Sequence, residues 1–144
     1  MEAIYIIVIT AAFCGVVLVP EPMLWAEYLI RGMMYGGLVF GVFNIFQAKQ
    51  SLKSWKVESK YINKNNLCAA RSMGGVLVMT SVLGLLALDG METTPALGYA
   101  MASELASLLI SRFGYNDVKN VGLDKTAVNI WTGLFAVAVP ILLL

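Results

Sequence analysis

Long apolar runs set the pattern of this chain, in place of the alternation of a half-buried strand or the one-sided stripe of a soluble helix. Five can be read, at residues 3–19, 23–47, 69–88, 94–111 and 126–144, each 17 to 25 residues long. That is the length a helix needs to cross a hydrocarbon core about 30 Å thick. The pattern predicts one all-α domain over residues 1–144, a polytopic transmembrane helical bundle of four to five spans. The first run also has the length of a cleaved signal peptide, but it lacks a positive leading region and is read as a helix.

Punctuation separates the runs: Pro20-Glu21-Pro22, then Asp89-Gly90 and Thr93-Thr94-Pro95, then Gly114 and Gly122. Thr94 before Pro95 reads as an N-cap followed by proline at the first helical position. Pro140 falls inside the last run, where a kink is expected.

Composition agrees with the pattern. The chain is 59% hydrophobic and 13% charged, against roughly a quarter charged in a soluble domain, and its mean hydropathy is +0.77. A net charge of +1 gives no basic footprint for nucleic acid. The absence of histidine removes histidine-ligated haem or chlorophyll and the usual nucleophile–base pairs. Pigments held by backbone or carboxylate groups stay open, and lipids are expected. Cys14 and Cys68 show no metal-binding spacing and read as buried or interfacial thiols.

Orientation follows from charge. The link from Ala48 to Cys68 carries Lys49, Lys53, Lys56, Lys60 and Lys64, and the link before the last run carries Arg112, Lys119 and Lys125. The opposite links hold Glu21, Glu27, Asp89 and Glu92 without lysine or arginine. The positive-inside rule places both basic links and the N-terminus in the cytoplasm, stroma or matrix. Spacings of four and three residues put the five lysines on one face of a helix. With Trp55 and Tyr61 this describes an amphipathic interfacial helix on anionic headgroups, or a docking surface for an acidic partner.

Two ionisable residues lie deep in the apolar runs. At about 1.5 Å per residue, Arg31 sits some 12 Å past Met23 and Glu104 some 15 Å past Thr94. A charge in hydrocarbon costs at least about 2.5–3.5 kcal/mol, so it faces a bundle interior and finds a partner. Glu27, one turn before Arg31, is favourably ordered for an i,i+4 pair. The expectation is a Glu27–Arg31–Glu104 cluster, either a dry structural ion pair or the lining of a polar cavity for a proton, ion or headgroup. Arg71, near the end of its run, reads as a snorkelling residue.

Gly32 and Gly36, Gly37 and Gly41, and the pair Gly74-Gly75 mark close helix packing. "RGMMYGGLVFG" and "RSMGGVLVMTS" echo each other, which leaves an inverted internal repeat open.

These stretches also carry a family likeness. "RGMMYGGLVFG" at 31–41, "ARSMGGVLVMTSVLGLLALDG" at 70–90 and "ASELASLL" at 102–109 resemble small four-helix membrane proteins of the DoxX-like group, over roughly residues 4–110. The last run falls outside the likeness, and the lysine-rich link is longer than that pattern has. A fainter likeness, in the order "AR…SEL", is to the ergosterol-pathway scaffold proteins of the endoplasmic reticulum. Both imply a helical bundle that assists other proteins.

The sequence contains no nucleophile–base pair, no phosphate-binding glycine loop and no soluble domain to hold a site. It predicts no enzyme. The expected function is a non-catalytic membrane subunit, scaffold or assembly factor of a larger complex, photosynthetic or respiratory, with the bilayer and other membrane subunits as partners. The alternative is a small transporter or channel with a mid-membrane Arg31/Glu104 site.

Overall fold

The structure, a computed structural model, describes residues 24–122 and 124–144. The predicted first span, Cys14 and the Pro20–Pro22 break lie outside the described residues.

All regular structure among the described residues is helical. The elements are α1 (Leu24–Phe46), α2 (Ala48–Ser54), a 3-10 turn (Ser59–Tyr61), α3 (Lys64–Leu88), α4 (Thr93–Leu109) running into a π-helical turn (Ile110–Gly114), α5 (Asp117–Val121) and α6 (Lys125–Leu143). Three of these, α1, α3 and α6, are long and apolar enough to cross a membrane. Helices satisfy their own backbone groups without water, which suits faces apolar on every side. Val39, Val137 and Ile141 point outward at 70%, 62% and 67% exposure, surface that fits lipid or another protein rather than water.

The helix ends follow the chemistry of orphan backbone groups. Asn63 caps α3 by accepting from the Asn66 N–H at 3.0 Å, and Asp124 caps α6 by accepting from the Thr126 N–H at 2.8 Å. At the far end of α3, Gly90 takes φ 79°, while Gly90 N–H and Met91 N–H return to the carbonyls of Ala87 and Leu86. This is the Schellman closure that glycine favours. The predicted cap at Thr94 is corrected: Glu92 occupies that position, without a side-chain cap bond. Pro95 therefore sits inside the first turn of α4, where a missing N–H leaves nothing unpaired. α6 continues through Pro140 to Leu143.

The packing order is serial. α1 packs along α3, α3 along α4, and α4 along α6, giving a row of up-and-down helices with α3 and α4 in the middle. A closed bundle would set α1 against α6, yet among the described helices α4 is the one substantial neighbour of α6. The row has two ends. An acidic end gathers Glu27, Asp89 and Glu92, and a lysine-rich end carries α2, the 3-10 turn and α5.

The tightest crossing lies between α1 and α3. A methyl group placed on Gly41 would come within 2.7 Å of the Gly74 carbonyl oxygen, and one on Gly74 within 2.6 Å of the Gly41 carbonyl oxygen. The two backbones touch, as small residues permit in membrane helices. Gly37 lies against Ser81, and Gly75 faces the other way, toward Glu104 and Ser107 on α4. Four of the six expected packing glycines thus stand at helix contacts. Gly32 and Gly36 do not: nothing among the described residues lies within 4 Å of a methyl group placed on either. α1 is an edge helix of the described row, so only one face of its glycine stripe meets α3.

The lysine-rich link is not one amphipathic helix. α2 stops after two turns because Lys56 adopts the left-handed conformation, φ 62°. Lys56 N–H and Val57 N–H then bond back to the carbonyls of Lys53 and Leu52. This is a second Schellman closure, with lysine where glycine is usual, and it brings Val57 back beside Leu52. Trp55 meets Phe40 of α1 edge-on at 5.8 Å between ring centroids. The five lysines are exposed but spread over a helix, a turn, the 3-10 segment and the start of α3, so they share no single helix face.

Candidate functional site

The two deep ionisable residues singled out in the sequence are not partners. Arg31 Nε donates to Glu27 Oε1 at 3.0 Å, confirming the i,i+4 pair, and its other nitrogens reach Asp89 Oδ1 at 2.5 Å and the Leu88 carbonyl at 2.9 Å. The Glu27–Arg31–Glu104 cluster is therefore corrected to Glu27–Arg31–Asp89. Similar depth does not make partners: α3 stands between α1 and α4 in the row, so Arg31 meets the acidic end of α3 and not Glu104. At that end the last carbonyls of α3 carry partial negative charge, and Asp89 follows them. The cluster is partly open: Arg31, Glu27 and Asp89 side chains keep 24%, 31% and 58% exposure.

Glu104 stands alone on α4. Its Oε2 is buried and has no hydrogen-bond partner among the described residues. Gly75 makes room for it: a methyl group there would meet Glu104 Oε2 at 2.5 Å and also strike Ser107 Oγ. The neighbouring Ser103 hydroxyl is committed to the Ala100 carbonyl at 2.7 Å. A carboxyl in the α3–α4 seam with one unsatisfied oxygen is costly unless it carries a proton or meets a cation.

A second network was not expected from the sequence. Arg71 is buried at 8% exposure, Asp117 at 2%, and the two form a fork-to-fork pair, Nε to Oδ2 at 2.7 Å and Nη2 to Oδ1. Ser111 donates to Asp117 Oδ2 at 2.6 Å. The Arg71 guanidinium lies 4.3 Å over the Tyr115 ring, and the Tyr115 hydroxyl donates to the Phe46 carbonyl at 3.3 Å, one of the orphan carbonyls ending α1. The π turn and Asn116, left-handed at φ 55°, swing the chain so that Asp117 returns to face α3. π-helical turns recur where a helix must be redirected at a functional or strained point.

Burial works to raise the Asp117 carboxyl, but hydrogen bonds from Arg71 and Ser111 and the arginine charge outweigh it and hold it below the usual carboxylate range. Asp117 escaped sequence reading because it lies in a link otherwise noted for its cations. A carboxylate beside Arg112 and Lys119 was the available signal, and the reading of Arg71 as snorkelling is corrected. Cys68, one turn before Arg71, is a buried free thiol as expected.

Beside this network, α1, α2 and α3 enclose a half-open cavity of about 470 Å³ walled mainly by apolar side chains. On the outer face of α1, Tyr35, Gly36, Val39, Phe40 and Phe43 line a shallow depression. No protein-family model, curated protein or solved structure matches the chain.

Proposed function

We propose that the chain is a non-catalytic integral membrane subunit, scaffold or assembly factor, whose open helix row packs against a larger membrane complex of the photosynthetic or respiratory kind. One observation carries this reading. Over its 19 residues α6 has no buried position, and Ile130, Trp131, Leu134, Val137 and Ile141 are each more than half exposed. Lipid tails give helices no hydrophobic reason to associate, so a helix held along one side leaves the other for close packing with a partner. The DoxX-like resemblance points the same way.

In this reading α1, α3, α4 and α6 are four spans and residues 3–19 a fifth. The lysine-rich end lies in the cytoplasm, stroma or matrix and the acidic end on the far side. Isolation in mild detergent tests the assignment, combined with a photo-crosslinking residue at Trp131 or Val137 and a control at buried Ala100. Crosslinks from α6 into a stoichiometric partner are expected. A self-contained particle that transports solute in liposomes would overturn the reading.

A second reading, the small transporter or channel, is favoured by the unpartnered oxygen of Glu104. It now rests on Glu104 without Arg31. It requires that Glu104→Gln abolish proton- or cation-coupled flux at unchanged expression, and unchanged flux would remove it.

A further inference from the structure

A separate pocket opens at the lysine-rich end, on the α6 side of the row. The π turn brings Arg112 and Phe113 to it, α5 with its leading residue brings Asn116 and Lys119, and the start of α6 brings Lys125 and Asn129. Lys125 and Asn129, four residues apart, share one face of α6. The three elements converge because left-handed Asn116 and Gly122, at φ 55° and 73°, turn the chain at each end of α5. The volume is about 260 Å³, below the roughly 300–1,000 Å³ of sites for drug-sized molecules. It suits a compact group.

The charge of the wall is one-sided. Arg112, Lys119 and Lys125 line it, and no carboxylate does. The ion pairs among the described residues belong to Arg31, Lys60 and Arg71, which leaves all three cations of the pocket without one. The acidic residues near them in sequence are engaged elsewhere: Asp117 is held by Arg71 and Ser111, and Asp124 caps α6 through the Thr126 N–H. Arg112 is half-buried, with its guanidinium 5.1 Å over the Phe113 ring. The aromatic face holds the planar fork and leaves its edge N–H groups for a ligand.

Three like charges around one small space repel one another, and a bound anion removes that cost. A carboxylate has two oxygens, enough for the guanidinium fork alone. A phosphate matches the fork and has oxygens left for two ammonium groups.

We propose that this pocket binds a phosphate group, with the Arg112 fork on two oxygens, Lys119 and Lys125 as point charges on the rest, and the Asn116 and Asn129 amides as further donors. Two sources carry that chemistry, the headgroup of an anionic phospholipid and a small soluble phosphate. The lipid source rests on the reading that the lysine-rich end lies at a membrane face; the soluble source does not.

The test follows thermal unfolding of the full chain by helical circular dichroism in dodecyl maltoside micelles, at fixed physiological ionic strength. Sodium phosphate, phosphatidylglycerol and phosphatidylcholine are added in turn, and the concentration giving half the maximal rise in melting temperature is read. Phosphatidylglycerol or sodium phosphate is expected to raise the melting temperature, whereas phosphatidylcholine, whose choline cancels its charge, is not. A rise with phosphatidylglycerol alone assigns the lipid headgroup, and a rise with sodium phosphate assigns the soluble group.

Lys119 and Lys125 are exposed, so Lys119→Gln with Lys125→Gln is expected to leave unliganded melting unchanged or slightly higher. It should raise the half-maximal concentration about 25-fold, or about five-fold for each lysine. Arg112→Lys keeps the charge but loses the fork, for a rise of roughly ten-fold. Lys49→Gln with Lys53→Gln removes the same charge from α2, which packs on α3 and α1; screening over roughly 8 Å keeps its effect below about two-fold.

No rise with either phosphatidylglycerol or sodium phosphate overturns the pocket, as does an equal rise with phosphatidylcholine. A half-maximal concentration unmoved by either pocket variant, or moved as far by the Lys49 and Lys53 pair, overturns it too. If sodium phosphate acts and phosphatidylglycerol does not, the pocket stands and the membrane placement of this end loses its support from it.

Discussion

At the acidic end, Arg31 meets Glu27 and Asp89, whose side chains stay 31% and 58% exposed. At the lysine-rich end, Arg71 meets Asp117 under nearly complete burial, with an aromatic ring beneath it and a serine on the carboxylate. Each arginine stands a few residues ahead of a glycine pair, and by sequence Arg31 was the deeper. The difference shows that register against the neighbouring helix end decides an arginine's surroundings. Arg31 lies level with the end of α3 and so reaches polar groups at a surface. Arg71 points into a corner closed by the π turn and α5. The glycines follow the same division: Gly41 and Gly74 bring backbones into contact toward the lysine-rich end, while Gly32 and Gly36, toward the acidic end, face open space among the described residues.

The sharpest way to break this contrast is to remove one carboxylate from each cluster. Asp117→Ala strands a buried guanidinium and is expected to cost about 3–5 kcal/mol. Asp89→Ala removes a partly exposed pair and should cost at most about 1 kcal/mol. Denaturant unfolding in one mild detergent measures both, and equal losses would dissolve the distinction. Next in size are the glycines. Gly41→Ala forces a methyl group against the Gly74 carbonyl and is expected to cost about 1–3 kcal/mol, whereas Gly36→Ala should be neutral or slightly stabilising. A Gly36→Ala loss as large as that of Gly41→Ala would show that the outer face of α1 is covered.

Acid offers a smaller and more selective probe. The Asp117 carboxyl is held below its unfolded value, so the unfolded chain takes up that proton first as pH falls. The stabilisation is complete above the unfolded value, roughly pH 4, and is lost as pH drops from there through the depressed folded value. The stability gap between the parent protein and Asp117→Asn should therefore be constant from neutrality to about pH 4 and close below it. A gap that closes near neutrality would contradict the pairing. The smallest expected effect is a gain: Lys56→Gly relieves a left-handed residue at the end of α2 and should stabilise by about 0.5–1 kcal/mol, read as a raised melting temperature.

Much of the fold could be read from the sequence because one constraint, span length, dominates. The runs at 23–47, 69–88, 94–111 and 126–144 correspond to helices at 24–46, 64–88, 93–109 and 125–143. The Asp89-Gly90 stop was readable because glycine announces a left-handed closure. The stop at Lys56 was hidden because lysine took the same conformation, and the lysine period then suggested a continuous helix. Arg31–Glu27 was local and readable. Arg31–Asp89 and Arg71–Asp117 join residues 58 and 46 positions apart, and hydropathy and depth say nothing about which helix ends come level. Glu104 was identified as unusual, but its isolation depends on Gly75 across the seam, which no spacing on α4 reveals.

The serial row bears on how such a protein is made. After α1, each large helix packs mainly on one that precedes it in the chain: α3 on α1, α4 on α3, α6 on α4. Every helix therefore finds its partner already synthesised, and the longest wait is for the link over residues 47–63. Contacts between near neighbours in sequence form fast and expose little unpaired surface along the way. Assembly can thus proceed by addition at one growing edge, from α1 through α3 and α4 to α6.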